Sequence, residues 1–188
     1  DMNGRIEMII DGGDVGIGVE STIIDLTGEV PMLLRPGFVT PEMLQQVLGT
    51  VETDAAVYHQ VGKDVHPKAP GMKYRHYAPK ASMVLVEGAQ DQVITYINEE
   101  AKKKREQGLR IGIMATDESK ELYKADVVIS VGSRISMDSV AHNLFRALRD
   151  LDEENVDFIY SESFDTSGYG FAVMNRLLKA AGHQVVKL

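Results

Sequence analysis

The chain has 188 residues, and acidic residues outnumber basic ones by 28 to 20, which gives a formal charge of −8. This balance excludes a protein that coats nucleic acid by charge, and the lack of cysteine excludes a disulfide scaffold or a thiolate metal site. No apolar run is long enough to span a membrane, and the first residues lack the features of a signal peptide. We therefore expect a cytoplasmic protein without a membrane partner.

Charge divides the chain into three segments. Residues 1–57 carry ten acidic and two basic residues, residues 58–80 carry one and five, and residues 81–188 carry 17 and 13. The prolines and glycines of the middle segment are typical of a linker. Its three tyrosines favour a linker that docks on the protein over a solvated tether, because flexible linkers seldom contain so many aromatic residues.

The first segment is rich in predicted strands. Three strands and one helix are predicted, at residues 4–10, 19–26, 32–35 and 42–48. Thr40 and Pro41 are suited to begin the helix, and Gly49 is suited to end it. These elements bury too little apolar surface to fold confidently alone, so we interpret the segment as the end of a larger domain.

The last segment alternates predicted strands with predicted helices. The strands are predicted at residues 83–86, 110–114, 126–131, 156–160 and 184–187. The helices are predicted at residues 90–107, 117–122, 138–151 and 170–181. This alternation is typical of a parallel sheet with right-handed crossovers and helices on both faces. We therefore predict an α/β fold whose C-terminal part is a doubly wound, Rossmann-like sheet.

The turns that follow the strands are where such a sheet binds ligands. The turn at residues 87–90 lacks the dinucleotide-binding fingerprint. The Ser-Gly-Tyr-Gly turn at residues 167–170 opens a helix whose free N–H groups could bind an anion, although a glycine turn capped by Ser167 is the simpler interpretation. His142 and His183 have no metal-ligand spacing, so no metal site is predicted.

Four stretches, in this order, resemble the C-terminal half of the two-domain, YrdC-like threonylcarbamoyl-AMP synthases. They are GVESTIIDLT at residues 18–27, LLRPG at 33–37, APGMKYRHYAPKA at 69–81 and GYGFAVMNRLLKAA at 168–181. The resemblance implies that residues 1–57 are the truncated C-terminal end of a YrdC-like α/β catalytic domain. It also implies that residues 58–80 are a basic linker and residues 81–188 a Rossmann-like C-terminal domain. Because the family's first ligands would lie upstream and no initiator methionine is present, we expect a fragment.

The resemblance implies an L-threonylcarbamoyladenylate synthase, a nucleotidyltransferase that makes threonylcarbamoyl-AMP and pyrophosphate from L-threonine, bicarbonate and ATP. The product serves threonylcarbamoyl-adenosine formation in tRNA, so tRNA is an indirect partner. Mg²⁺ is expected with the ATP substrate, because nucleotidyl transfer requires neutralisation of the charge on the departing pyrophosphate. The fragment alone is expected to be inactive. The alternative is a non-catalytic α/β module that binds a ligand or a partner.

The resemblance also assigns binding residues, but no catalytic residue. Ser21 and Thr22 match a position that contacts the threonine or its adenylate, and their alternative is two strand residues facing water. Arg35 matches a nucleotide-binding arginine whose planar fork suits phosphate oxygens, and its alternative is a surface ion pair. Five linker residues are expected either to contact ATP or to anchor the linker, with the last the strongest candidate for contact: Lys73, Tyr74, Arg75, His76 and Tyr77.

Overall fold

The computed structural model describes residues 4–13, 15–58, 68–69 and 78–188. In this part of the chain the strands are β1 (Ile23–Asp25), β2 (Met32–Arg35), β3 (Glu52–Thr53), β4 (Ser82–Glu87), β5 (Ile111–Ala115), β6 (Val127–Ser130), β7 (Phe158–Glu162) and β8 (Val185–Lys187). The α-helices are α1 (Pro41–Leu48), α2 (Gln90–Glu106), α3 (Met137–Glu153) and α4 (Tyr169–Ala180). Single 3-10 turns lie at Ala55–Val57 and Lys120–Leu122. Within the described ranges, no helix is long and apolar enough to cross a membrane.

The first segment forms a three-stranded sheet in the order β1-β2-β3. Strand β2 pairs antiparallel with β1, where Ile23 lies opposite Arg35, and parallel with β3. Helix α1 begins as predicted, because the Thr40 hydroxyl oxygen accepts a hydrogen bond from the Met43 N–H at 3.4 Å. Gly49 ends the helix at a positive φ of 75°, a conformation that glycine adopts without strain.

The predicted strand at residues 4–10 is wrong. These residues form a turn and irregular backbone, and Met8, Ile9 and Ile10 are 75%, 58% and 88% exposed. A strand needs a neighbouring strand to complete its backbone hydrogen bonds, and none of the described strands pairs with this stretch. The strand predicted at residues 19–26 shortens to β1, since Val19 packs into the core of the C-terminal domain instead.

The last segment forms a five-stranded sheet in the order β6-β5-β7-β4-β8, with every neighbouring pair parallel. Each predicted strand is present within two residues of its expected bounds. The helices predicted at residues 90–107, 138–151 and 170–181 are α2, α3 and α4, whereas the helix predicted at 117–122 is only a 3-10 turn. The predicted α/β, doubly wound fold is confirmed.

Helices cover both faces of this sheet. On one face, Val93, Ile97 and Ala101 of α2 recur every fourth position and pack on buried residues of β5. On the other face, α3 and α4 pack on the sheet through a larger apolar cluster that includes Leu144 and Leu177. Helices α2 and α3 each turn one apolar stripe toward the sheet, whereas α4 is buried over most of its surface.

Described residues of the linker contact both segments. Ala69 is 7% exposed and packs with Leu34 on the three-stranded sheet. The Lys80 N–H donates to the Asp152 carboxylate of α3 at 2.8 Å. Ala69 and Lys80 thus connect the linker to the first and last segments, respectively.

Candidate functional site

The pairing of β1 with β2 brings Arg35 to Ser21. The Arg35 Nε donates to the Ser21 carbonyl oxygen at 3.0 Å, and its Nη2 donates to the Ser21 Oγ at 3.2 Å. Among the described residues, the ion pairs found do not include Arg35, so the guanidinium is held by Ser21 and not by a surface carboxylate. The result is a half-buried cation fixed beside an exposed hydroxyl group.

The hydroxyl groups of Ser21 and Thr22 are oriented by different bonds. Thr22 Oγ1 donates its proton to the Val39 carbonyl oxygen at 2.7 Å, so its lone pairs can accept a bond from a ligand. Ser21 Oγ accepts from Arg35, so its O–H can donate to a ligand. Adjacent residues thus present one acceptor and one donor, the combination that an amino acid's ammonium and carboxylate groups require.

Gly37 packs directly on the backbone that carries these hydroxyl groups. A Cβ at position 37 would lie 2.4 Å from both the Glu20 carbonyl oxygen and the Thr22 nitrogen. Such distances leave no space for a side chain, so only glycine lets the two loops approach this closely. We define residues 18–22 as the hydroxyl loop and residues 35–37 as the arginine loop.

Two aromatic contacts join α4 to the preceding chain, one from Phe38 of the first segment and one from Tyr58 at the start of the linker. The Phe38 and Tyr169 rings stack with centroids 5.1 Å apart and planes 18° apart. The Tyr58 and Phe171 rings meet at 5.6 Å with planes tilted by 36°. Offset rings at such distances contribute about 0.5–1.5 kcal/mol beyond the area that they bury. The start of α4 is therefore a contact surface for both the first segment and the first residue of the linker.

Sequence reasoning missed a second contact of α4, formed by Asn175 and Arg176. The Arg176 side chain is 5% exposed and donates from Nε to Glu20 of the hydroxyl loop at 2.5 Å. Its Nη2 donates to the Pro36 carbonyl oxygen of the arginine loop at 3.0 Å. The Asn175 Nδ2 donates to the Val57 carbonyl oxygen at 2.7 Å. The available signal was two charged residues, Arg176 and Lys179, within a helix that is otherwise mostly apolar, since buried charged residues are rare unless they are paired.

Lys179 lies on the same side of α4, one turn beyond Arg176. Its burial, with the nearby positive charges of Arg176 and Arg35, lowers the pKa of Lys179 from its ordinary value of 10.5 to about 8, although Glu20 opposes the shift. A lysine with such a pKa is still mostly protonated at neutral pH. Among the described residues, the junction between α4 and the two loops therefore brings the charges of Arg176, Arg35 and Glu20 close enough to Lys179 to shift its pKa.

A second polar cluster lies at the carboxyl edge of the five-stranded sheet. Glu162, at the end of β7, is 1% exposed, accepts from the Tyr123 hydroxyl at 2.8 Å and from the Ser119 hydroxyl, and pairs with Arg134. Burial, together with the Glu162 charge, raises the pKa of Tyr123. These partners satisfy the buried carboxylate from within, so the cluster joins the turns that follow β5, β6 and β7.

A neighbouring carboxylate, Glu118, accepts from the Arg134 backbone N–H at 3.0 Å and from the Ser133 hydroxyl. These bonds lower the pKa of Glu118 to about 2. Glu118 therefore stays ionised over the physiological range and helps to hold the same turns.

The turn at residues 167–170 differs from the interpretation in which Ser167 caps α4. The Asp165 carboxylate accepts from the Ser167 N–H at 2.5 Å, and its bonds to Ser167 lower the pKa of Asp165. Gly168, with a φ of 52°, occupies the cap position of α4, and no side chain caps the helix. Ser167 is therefore not the cap, and its N–H is already bonded to an anionic group of the protein.

Two further predictions concern a metal site and the linker residues. Within residues 4–13, 15–58, 68–69 and 78–188, no group of three or more His, Cys, Asp or Glu side chains is arranged to hold a metal ion. The linker candidates Lys73, Tyr74, Arg75, His76 and Tyr77 lie outside the described residues, so their roles stay predictions.

Comparison with known proteins connects these loops to one family. Residues 39–182 match the family described as threonylcarbamoyl-AMP synthase, C-terminal domain. The whole chain is 44% identical to the threonylcarbamoyl-AMP synthase of Bacillus subtilis and 46% identical to that of Pyrococcus abyssi. It covers 52% and 53% of those proteins, so the chain spans about half the length of the curated relatives it matches.

Solved structures give the same result. Pyrococcus abyssi Sua5 complexed with L-threonine superimposes with a TM-score of 0.90 at 45% identity, over all of this chain and 53% of that one. A variant of the same protein, with a histidine and the following tyrosine replaced by alanine, superimposes with a TM-score of 0.89 at 44% identity, over all of this chain and 52% of that one. The chain belongs to the threonylcarbamoyl-AMP synthase family.

Proposed function

We propose that this chain is part of an L-threonylcarbamoyladenylate synthase, a nucleotidyltransferase that acts on L-threonine, bicarbonate and ATP. The observation that carries the proposal is the contact between Arg35 and Ser21, because it places a phosphate-binding type of side chain next to hydroxyl groups suited to an amino acid. The identity of 44–46% to two synthases over the whole chain supports it.

Threonine is the proposed ligand of the hydroxyl loop. The Ser21 O–H donates to the substrate carboxylate, and the Thr22 oxygen accepts from its ammonium or hydroxyl group, as their bonds to Arg35 and Val39 direct. The relative from Pyrococcus abyssi was crystallised with L-threonine, and its TM-score of 0.90 supports the same ligand class here.

ATP is the proposed ligand of Arg35. In the reaction, threonine carbamate forms from the amine and bicarbonate with loss of one water molecule, and a carbamate oxygen then attacks the α-phosphorus while the bond to pyrophosphate breaks. Negative charge grows on the departing pyrophosphate, and a guanidinium held in place stabilises it without reorganising. Mg²⁺ would neutralise part of the same charge when bound with ATP, but no described cluster suits a metal ion, so no step of this chain is assigned to it.

The basic linker is proposed to close over the nucleotide. Lys73, Tyr74, Arg75 and His76 supply cations and aromatic rings, and Tyr77 is the proposed direct contact with ATP. A solved variant of the relative has a histidine and the next tyrosine changed to alanine, and His76 and Tyr77 form the one His-Tyr pair of this sequence. These two positions are therefore the first linker residues to test. Anchoring of the linker on the catalytic domain is the alternative role for each residue.

We propose that the product supplies threonylcarbamoyl-adenosine formation in tRNA, so that tRNA is an indirect partner, and that the reaction takes place in the cytoplasm. The test is pyrophosphate release from ATP by the full-length protein that contains these residues. We expect release to require both threonine and bicarbonate, and mass spectrometry to identify threonylcarbamoyl-AMP. Ligand binding without threonine-dependent release would instead favour the non-catalytic α/β binding module.

We also propose that these 188 residues alone are inactive. The catalytic segment resembles only the end of a YrdC-like domain, and the relatives are about twice as long. The purified 188-residue chain should therefore release no pyrophosphate above background. Threonine- and bicarbonate-dependent release by this chain would show that the described loops suffice.

A further inference from the structure

One guanidinium in the C-terminal domain binds both loops of the candidate site. Arg176 donates to the Glu20 carboxylate at 2.5 Å through Nε and to the Pro36 carbonyl oxygen at 3.0 Å through Nη2. Its Nη1 donates to the side-chain oxygen of Asn175 at 2.9 Å, and Asn175 in turn donates to Val57. All three arginine nitrogens are therefore bonded, and they join α4 to segments 140 and 156 residues away in sequence.

The two acceptors of Arg176 are immediate neighbours of the proposed ligand-binding residues. Glu20 precedes Ser21, and Pro36 follows Arg35. Planar trans peptide units place consecutive Cα atoms at a fixed separation of about 3.8 Å. A displacement of Glu20 or Pro36 is therefore passed to the neighbouring side chain.

Packing against the C-terminal domain further restricts the position of the hydroxyl loop. Val19 is buried in the core formed by α3, α4 and the sheet. A Cβ at Gly18 would lie 2.3 Å from both the Ala141 carbonyl oxygen and the His142 Cα, so this loop lies on the backbone of α3 without any gap. The hydroxyl loop thus packs on α3 and on the core of the C-terminal domain, and the bond from Arg176 to Glu20 fixes its position on this surface.

Stability alone does not account for a buried arginine at this junction. Removing two charges from water costs several kcal/mol, and apolar residues of similar volume often hold a junction equally well. The guanidinium adds a fixed orientation of its hydrogen bonds, because its N–H groups lie in one rigid plane and each donates along one direction. Here that plane specifies where the two loops lie relative to each other.

We propose that Arg176 is a positioning residue through which the C-terminal domain sets the hydroxyl loop and the arginine loop in register for threonine and ATP. The inference rests on the proposed function. It assigns the C-terminal domain a role in substrate binding in which Arg176 itself touches neither substrate.

The test uses the full-length protein with Arg176→Lys, which keeps the charge and most of the packing but loses the fork. Calorimetric titration should show the dissociation constants for both threonine and ATP raised at least about tenfold, since each substrate loses a correctly placed charge-assisted hydrogen bond. Arg110→Lys is the matched control, because Arg110 pairs with Glu154 in the same domain, half exposed and away from both loops. It should leave both constants unchanged.

Glu20→Gln separates the two loops and covers the case in which Arg176→Lys does not fold. Glu20 is only partly buried, at 24% exposure, and the Arg176 bond to Pro36 is retained in this variant. Threonine affinity should therefore fall several-fold more than ATP affinity. A residue that only stabilises the fold would lower the unfolding temperature while both affinities stay as in the parent.

The outcomes separate this inference from the proposed function. A full-length parent without threonine-dependent pyrophosphate release overturns the proposed function, and this inference with it. A parent that is active, with folded Arg176→Lys and Glu20→Gln variants that bind both substrates within about twofold of the parent, overturns the inference alone; such a change is below the roughly 0.5 kcal/mol of a neutral surface substitution.

Discussion

Gly18 lies against His142 so closely that a Cβ at position 18 would come within 2.3 Å of the His142 Cα. This contact joins the loop before β1 to helix α3 across 124 positions of sequence. Backbone atoms cannot move aside as a flexible side chain can. Position 18 therefore requires glycine because the loop packs on the backbone of α3, and not because the backbone at this position adopts a special φ.

Gly18→Ala is accordingly predicted to weaken the docking of the hydroxyl loop on α3. The added methyl group forces a backbone shift, which typically costs about 1–3 kcal/mol. Chemical denaturation of the full-length protein should show this loss. Gly12→Ala is the control, because a Cβ at Gly12 meets nothing within 4 Å. Equal stabilities of the two variants would contradict the close approach.

Lys179 is predicted to make the stability of the protein depend on pH above neutrality. Its pKa is about 8 in the folded protein against 10.5 ordinarily, so the unfolded chain binds more protons between these two values. The unfavourable contribution of Lys179 is therefore fully present below pH 8 and is relieved as the pH rises toward 10.5. Relative to Lys179→Met, the parent should gain about 1 kcal/mol or more across this window.

Thermal unfolding of parent and variant at several pH values measures that difference. Lys187→Met provides the matched control, since the Lys187 side chain is 75% exposed and pairs with Glu87 at the surface. The difference in unfolding temperature between this control and the parent should be the same at every pH. If the difference between Lys179→Met and the parent is also independent of pH, burial does not disfavour the charged amine.

The C-terminal sheet was predictable because its signals are local. Val140, Leu144 and Leu148 recur at helical spacing, and all three are buried in the cluster between α3 and the sheet. The same periodicity failed at residues 117–122, where only the 3-10 turn Lys120–Leu122 forms. There the Ser119 side chain bonds to Thr116 and Glu162, and these bonds compete with regular helix.

The junction was not predictable from the sequence, because its partners are distant in the chain. Glu20 and Arg176 are 156 residues apart, and nothing near either residue indicates the other. The strand predicted at residues 4–10 was wrong for a related reason. A run of apolar residues forms a strand only where another strand pairs with it, and the sequence does not show whether such a partner exists. The proposed binding roles of Ser21, Thr22 and Arg35 rest on the resemblance to a family, because periodicity alone predicts only strand residues at these positions.

The linker prediction is that ATP protects residues 74–77 from proteolysis in the full-length protein. A loop that closes on a bound nucleotide exposes less backbone to a protease. Chymotrypsin, which cleaves after aromatic residues, should cut after Tyr74 and Tyr77 more slowly when ATP is present. The cleavage rate after exposed Tyr58 is the internal reference. Equal rates with and without ATP would favour the anchoring role.

Arg35→Ala is predicted to weaken ATP binding at least about tenfold while the fold survives. A charge-assisted bond to a phosphate oxygen is typically worth about 1.5–3 kcal/mol, which corresponds to roughly ten- to a hundredfold in affinity. An exposed surface pair is worth under about 1 kcal/mol, so a smaller loss would be expected if Arg35 only stabilised the surface. Because the same side chain donates to Ser21 Oγ, threonine affinity should fall as well.

Arg35→Lys distinguishes charge from geometry at the same position. Lysine keeps the positive charge but cannot donate in the fixed plane that reaches both Ser21 oxygen atoms, so it should restore ATP affinity only in part. Circular dichroism establishes that each variant is folded before ATP is titrated. An Arg35→Ala protein whose ATP affinity stays within about twofold of the parent would show that Arg35 acts on Ser21 and not on phosphate, because that change lies below the roughly 0.5 kcal/mol of a neutral surface substitution.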